Sequence, residues 1–199
     1  MEQSCFLVGI GVSAGGPKAL VKLLNGVSPD TCGIVIVQHL SKGFSTSFAH
    51  YLDGMVGLQV KEARTGELVR DGTVYLPSDG CQISVKKSGS GYLLTNEPGE
   101  RIGGFAPAID PLFCSIAAAA GNHAMGIILT GMGEDGAAGL KAMRDAGAYT
   151  IAQDKRTSEV YSMPYAAYTH GGAMKLVALE CMAAEINGFC IRMKKNCGR

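Results

Sequence analysis

The sequence predicts an α/β fold: a mainly parallel central sheet with helices on both faces and a small antiparallel hairpin region. Three observations carry this expectation. The runs Cys5–Val12, Gly33–Val37 and Met125–Leu129 are short, continuous and apolar, as strands covered on both faces are. Segments of helical spacing separate or follow them, and strands alternating with helices imply parallel pairing. Between these outer parts the texture changes to short alternating segments split by glycine, proline and serine, the pattern of hairpins.

Taken in order, Cys5–Val12 ends in glycines, and Pro17–Leu24 then shows helical spacing through Leu20, Val21 and Leu24. The β-branched run Gly33–Val37 is too short for a good helix and completes a βαβ unit. Phe44–Leu52 is expected as a helix. The segments Leu58–Val60, Val74–Leu76, Ile83–Val85 and Tyr92–Leu94 are expected as antiparallel hairpins. Asn96–Gly104 is polar and glycine-rich, hence a loop, and Asp110-Pro111 is expected to cap a helix through Ala120. The α/β texture then returns with strand Met125–Leu129, a glycine-rich turn at Gly131–Gly136, helix Ala137–Ala146 and strand Ala148–Ala152. Helices near Pro164–Tyr168 and from Leu176 to about Asn187 finish the chain. With 199 residues, a single domain over 1–192 and a C-terminal tail over 193–199 is the expected organisation.

Composition excludes several classes of partner. Eighteen Lys and Arg stand against seventeen acidic residues, a formal charge of +1, so nothing draws the chain generally to nucleic acid or to an anionic membrane. The seven cysteines are scattered without a C-x-x-C pair, which argues for reduced thiols and against a structural zinc site. Met1–Gln3 lacks the basic start of a secretory signal, and Gly9, Gly11, Gly15 and Gly16 interrupt the apolar run that follows before it could cross a bilayer. The expected compartment is the cytoplasm, without membrane insertion.

Chemistry concentrates at strand ends. Gly11-Val12-Ser13-Ala14-Gly15 fits G-x-S-x-G, a turn whose small residues let a strand bend into a helix and lift a serine hydroxyl above the sheet edge. Ser13 as a simple helix N-cap is an equally open use of the same turn. Gly9-Ile-Gly11-Val-Ser-Ala14 also fits the dinucleotide pattern G-x-G-x-x-A, but that site wants an acid ending the second strand. The second strand instead runs into Gln38-His39, and Asp30 precedes it. Imidazole is the group an unaided serine hydroxyl needs, since it takes a proton near neutral pH. His50, His123 and His170 have weaker settings and are expected to be structural or solvated.

A third member, a carboxylate that fixes the imidazole tautomer, is available in Thr130-Gly-Met-Gly-Glu-Asp135-Gly-Ala-Ala-Gly139. Either Glu134 or Asp135 could serve, and Asp135 could equally be a helix N-cap. An oxyanion hole is expected from the backbone N–H of Ala14 and one from the Gly131–Gly133 turn, that of Met132.

These segments resemble the catalytic domain of the chemotaxis protein-glutamate methylesterases, the CheB family, over nearly the whole length. The resemblance rests on Ile10–Gly16, Val37–His39 and Ile128–Gly139, with further similarity in Ala148–Gln153 and Ser162–Pro164. It implies a doubly wound α/β fold and assigns Asp135, together with Ser13 and His39, to a catalytic triad. It implies hydrolysis of glutamate γ-methyl esters on chemoreceptor cytoplasmic helices with release of methanol, and in some members receptor glutamine deamidation, without a metal or organic cofactor. Family members usually carry an N-terminal receiver domain and linker, whereas this sequence starts almost at the first strand, so a receiver acting in trans is the expected source of regulation. At Phe105–Asp110 the family commonly has arginine before the proline and serine after it, where this sequence has Ala106 and Ala108. That departure motivates the alternative of a catalytically inactive CheB-like binding module.

Overall fold

The structure, a computed structural model, describes residues 2–196. Nine strands and six helices follow one another as β1 (Leu7–Val12), α1 (Gly16–Leu24), β2 (Gly33–Gln38), α2 (Ser45–Met55), β3 (Gln59–Glu62), β4 (Thr73–Leu76), β5 (Cys81–Ser88), β6 (Gly91–Pro98), α3 (Ile109–Ala120), β7 (Ala124–Ile128), α4 (Ala137–Asp145), β8 (Tyr149–Gln153), α5 (Ser162–Thr169), β9 (Lys175–Val177) and α6 (Leu179–Asn196). Seven strands form one sheet in the order β3-β4-β2-β1-β7-β8-β9, and every pairing in it is parallel.

Alternation of side chains explains why the strands are apolar throughout. Val8, Ile10 and Val12 of β1 and Ile34 and Ile36 of β2 pack into one core with helices α1, α2 and α6. Leu7, Val35 and Val37 point the other way, into a second core with α3, α4 and the β5–β6 hairpin. Fully burying each such aliphatic chain is worth about 1.5–3 kcal/mol, so a strand with two buried faces has no position to spare for a charge. On the second face β1 presents Gly9 and Gly11. A methyl group there would meet Ile116 Cδ1 at 2.7 Å and Ile109 Cγ2 at 2.4 Å, so these two positions let α3 lie directly on the strand.

The expected parallel sheet with helices on both faces is the architecture found, and the corrections are local. The segments near Leu58–Val60 and Val74–Leu76 are not a hairpin: they are β3 and β4, paired parallel at one edge of the main sheet. Residues 63–72 lie between them, too long for a tight turn and able to return the chain to the starting edge. Only β5 and β6 form the antiparallel ribbon, which extends to Pro98 into the segment expected as a loop. The helix expected from Leu176 is instead strand β9 followed by α6, which begins at Leu179 and continues to Asn196. The expected 193–199 tail is therefore helical as far as Asn196, and 197–199 lie outside the described residues. No helix among the described residues is long and apolar enough to cross a membrane.

Candidate active site

Strand order reverses about β1, whose neighbours β2 and β7 lie on opposite sides of it. In open α/β sheets the crevice at such a reversal, beyond the carboxyl ends of the strands, is where ligands gather. Ser13 directly follows β1, His39 directly follows β2, and Asp135 lies in the turn after β7. The sheet thus delivers all three to one edge.

Backbone bonds fix the turn that holds Ser13. The Ser13 N–H donates to Thr130 O at 3.0 Å, and the Ser13 carbonyl accepts from Gly16 N at 2.9 Å and from Gln38 Nε2 at 3.0 Å. Gln38 Nε2 also reaches His39 O at 2.9 Å, so one buried amide braces both strand ends. Helix α1 is capped by Gly15, at φ 78°, and not by Ser13, which removes the helix-cap use of the hydroxyl. Gly131 makes room: a methyl group there would meet Ser13 Cβ at 2.8 Å and Met163 Sδ at 2.1 Å.

Between the two acids of the second turn, geometry discriminates where spacing does not. Glu134 is exposed, whereas Asp135 Oδ2 accepts from His39 Nε2 at 2.8 Å. The two side chains are only 6% and 10% exposed. Asp135 also accepts from the backbone N–H of Ile109 at 2.8 Å and of Asp110 at 3.0 Å, the first residues of α3. Burial pushes the Asp135 carboxyl up, but the bonds from His39, Ile109 and Asp110 together outweigh it and hold the group below the usual carboxylate range. An ionised carboxylate only accepts, so Nε2 carries a hydrogen, and in the neutral ring Nδ1 is then the lone-pair nitrogen. Nδ1 is buried and has no protein partner among the described residues. The ring is further fixed by Phe105, stacked at 3.8 Å between centroids and 4° between planes.

Ser13 and His39 line one cleft of about 700 Å³ with Ala14, Gln38, Phe44 and Tyr51. Among the described residues no hydrogen bond joins the Ser13 hydroxyl to His39, a separation common before substrate enters. The candidate oxyanion donors differ from their neighbours. Gly131 N donates to Val160 O and Gly133 N to Ser162 Oγ, whereas the N–H groups of Ala14 and Met132 have no protein acceptor among the described residues. Met132 is 74% exposed, which leaves that turn open to a ligand.

Several supporting residues escaped the sequence reading. Asp110 does not cap its own helix: α3 begins at Ile109 with Ala108 before it, and the Asp110 carboxylate instead accepts from Gly139 N of α4 at 2.6 Å. Asp135 and Asp110 therefore each cap the helix that the other precedes or begins. Thr130 Oγ1 contacts Ala14 O at 2.9 Å and Val160 O at 3.2 Å, and Gln153 Oε1 accepts from Thr130 N at 2.8 Å. Only the short-range capping signals of Asp110 were visible in sequence, and they pointed to the wrong helix. Of the other histidines, His50 sits on α2, His123 precedes β7 at the opposite edge, and His170 follows α5, and none of the three lines the cleft. Among the described residues no group of three or more His, Cys, Asp or Glu could hold a metal ion.

Residues 8–186 match the family model for CheB methylesterase. The chain is 44% identical over 180 residues to a protein-glutamate methylesterase/protein-glutamine glutaminase of Ralstonia nicotianae, covering 90% of this chain and 47% of the relative. It is 45% identical over 187 residues to protein-glutamate methylesterase/protein-glutamine glutaminase 2 of Bordetella avium, covering 94% and 53%. The chain thus spans about half the length of the curated relatives it matches. The CheB methylesterase catalytic domain of Thermotoga maritima superposes with a TM-score of 0.88 at 30% identity, covering 94% of this chain and 99% of that one. A doubly wound sheet shared across almost the whole of that domain, and a family model that spans both strand-end turns, lead to one conclusion: the chain belongs to the CheB methylesterase family.

Proposed function

We propose that this chain is a serine esterase that hydrolyses glutamate γ-methyl esters on chemoreceptor cytoplasmic helices, with Ser13 as nucleophile, His39 as base and then acid, and Asp135 as the orienting carboxylate. The observation that carries the proposal is the His39–Asp135 bond of 2.8 Å with the opposite ring nitrogen unpartnered, in a cleft that Ser13 also lines.

Ser13 Oγ attacks the ester carbonyl while His39 Nδ1 takes its proton, and the oxyanion is received by the Ala14 and Met132 amides. Collapse breaks the bond to the methoxy oxygen, which leaves as methanol with the proton from His39. Water then attacks the glutamyl–Ser13 ester through the same base, freeing glutamate and the hydroxyl. Asp135 stays ionised and stabilises the imidazolium at both stages. No step requires a metal or organic cofactor. A primary amide can follow the same course with ammonia leaving, so receptor glutamine deamidation, named for the relatives, is the companion reaction. A substrate on receptor cytoplasmic helices implies an enzyme that works in the cytoplasm.

Methanol release from methylated receptor tests the reading. Ser13→Ala is expected to reduce the rate by at least about 10⁴-fold, the scale on which loss of a triad nucleophile acts. Unchanged release by that variant would remove Ser13 from the reaction, and no release from the unmodified protein would favour an inactive binding module.

A further inference from the structure

We propose that Cys32 and Cys190 form an oxidisable dithiol that hydrogen peroxide converts to an internal disulfide fastening β2 to α6. The two residues lie 158 positions apart, yet their Sγ atoms are 2.8 Å from each other. A disulfide bond is about 2.04 Å long, so bonding needs the sulfurs to close by roughly 0.8 Å. Cys32 stands immediately before β2 and Cys190 on α6, and both are almost fully buried.

Their surroundings divide the two roles of thiol oxidation. Cys190 Sγ lies 3.3 Å from Thr31 Oγ1 and 3.4 Å from Cys32 N. The hydrogen bond from Cys32, then those from Thr31 and the Cys32 amide and the charge of Lys194, outweigh burial and draw the Cys190 thiol below its ordinary value. Burial and the same contact push Cys32 up, so it keeps its proton. Cys190, which lines a cavity, is the attacking sulfur, and the fully enclosed Cys32 is the resolving thiol. Lys194 is held in place by Asp30 O at 2.6 Å and Asp71 Oδ2 at 3.3 Å.

A cavity of about 230 Å³, lined by Ser28, Thr31, Asn187, Cys190 and Lys194, leads to the attacking sulfur. Water occupies about 30 Å³ in the liquid, so a peroxide of two oxygens fits easily. The Cys190 thiolate attacks one peroxide oxygen, the O–O bond breaks, and hydroxide leaves to take up a proton as water. Cys32 then attacks the resulting sulfenic sulfur; the S–S bond forms, the S–O bond breaks, and a second water departs. Two thiols lose two electrons and two protons while one peroxide is reduced to two waters. The link forms at the opposite end of β2 from His39, so it does not depend on the esterase reading.

The full chain, treated with hydrogen peroxide, alkylated in denaturant and digested without reductant, tests this by mass spectrometry. The expected result is a peptide containing Cys32 joined to one containing Cys190, about 2 Da lighter than the two unalkylated thiol peptides together, and separated by dithiothreitol. The joined peptide should be absent from Cys190→Ser and from Cys32→Ser. Full alkylation of both residues while the exposed Cys114 and Cys181 take up oxygen would overturn the proposal, as would a link from Cys190 to any other cysteine.

Discussion

Asp135 and Asp110 hold closely similar stations, and the protein uses them in opposite ways. Each is partly buried, and each accepts backbone N–H groups from the start of a helix, Asp135 from α3 and Asp110 from α4. Desolvation is the largest influence on both carboxyls and pushes both up. For Asp135 the imidazole of His39 and two amides reverse that push, and the group sits low. For Asp110 the Gly139 and Gly136 amides do not suffice against burial and the charges of Asp135 and Glu134, and the group sits high. Burial therefore does not decide the charge of a carboxylate here; the partners gathered around it do.

Substitution at Asp135 should show the largest effect. Asp135→Asn keeps the shape but removes the charge that selects the Nε2–H tautomer, and a fall in kcat of about 10³–10⁴-fold is expected, read by methanol release from methylated receptor. Gly131→Ala comes next. The added methyl group collides with Ser13 Cβ and Met163 Sδ, and a displacement of Ser13 on the order of 1 Å is expected to cost about 10²-fold in kcat. Reaction of the variant with an esterase probe measures that loss, and circular dichroism should still report a folded protein.

Asp110→Asn should change activity least, by about 3-fold or less, because it touches no reacting atom and Asn Oδ1 can still accept from Gly139. Its signature is in stability against pH. Asp135, low in the folded state, contributes stability that is present above the unfolded value near 3.9 and is lost as pH falls through the folded value. Asp110, high in the folded state, has the opposite sign: its ionisation weakens the fold as pH rises above that unfolded value, and acid relieves the cost. Urea unfolding between about pH 3 and pH 7 should show the Asp110→Asn protein gaining on the unmodified one as pH rises, and Asp135→Asn losing ground over the same range.

How far these features can be foreseen depends on their reach along the chain. β1, β2 and β7 were legible because strands buried on both faces leave unbroken apolar runs, and Ser13 because its glycines sit where one such run ends. β9 has three residues, too few for any periodicity, and β3 is a half-exposed edge strand whose alternation resembles that of a hairpin. The exchange of caps between Asp110 and Asp135 joins residues 25 apart through the packing of α3 on α4, which no local pattern records. Phe105 against His39 is similarly a product of tertiary packing. The residues of the candidate site were thus visible one by one, and what holds them in register was not.

The most direct test of the central claim is covalent labelling with a fluorophosphonate, which reports a serine activated by an imidazole without requiring a receptor. Mass spectrometry of the unmodified protein should place one adduct on Ser13, and His39→Ala should slow its formation by at least about 10²-fold, the lower end of what a general base supplies. An unlabelled Ser13, or labelling that proceeds equally fast without His39, would contradict the account.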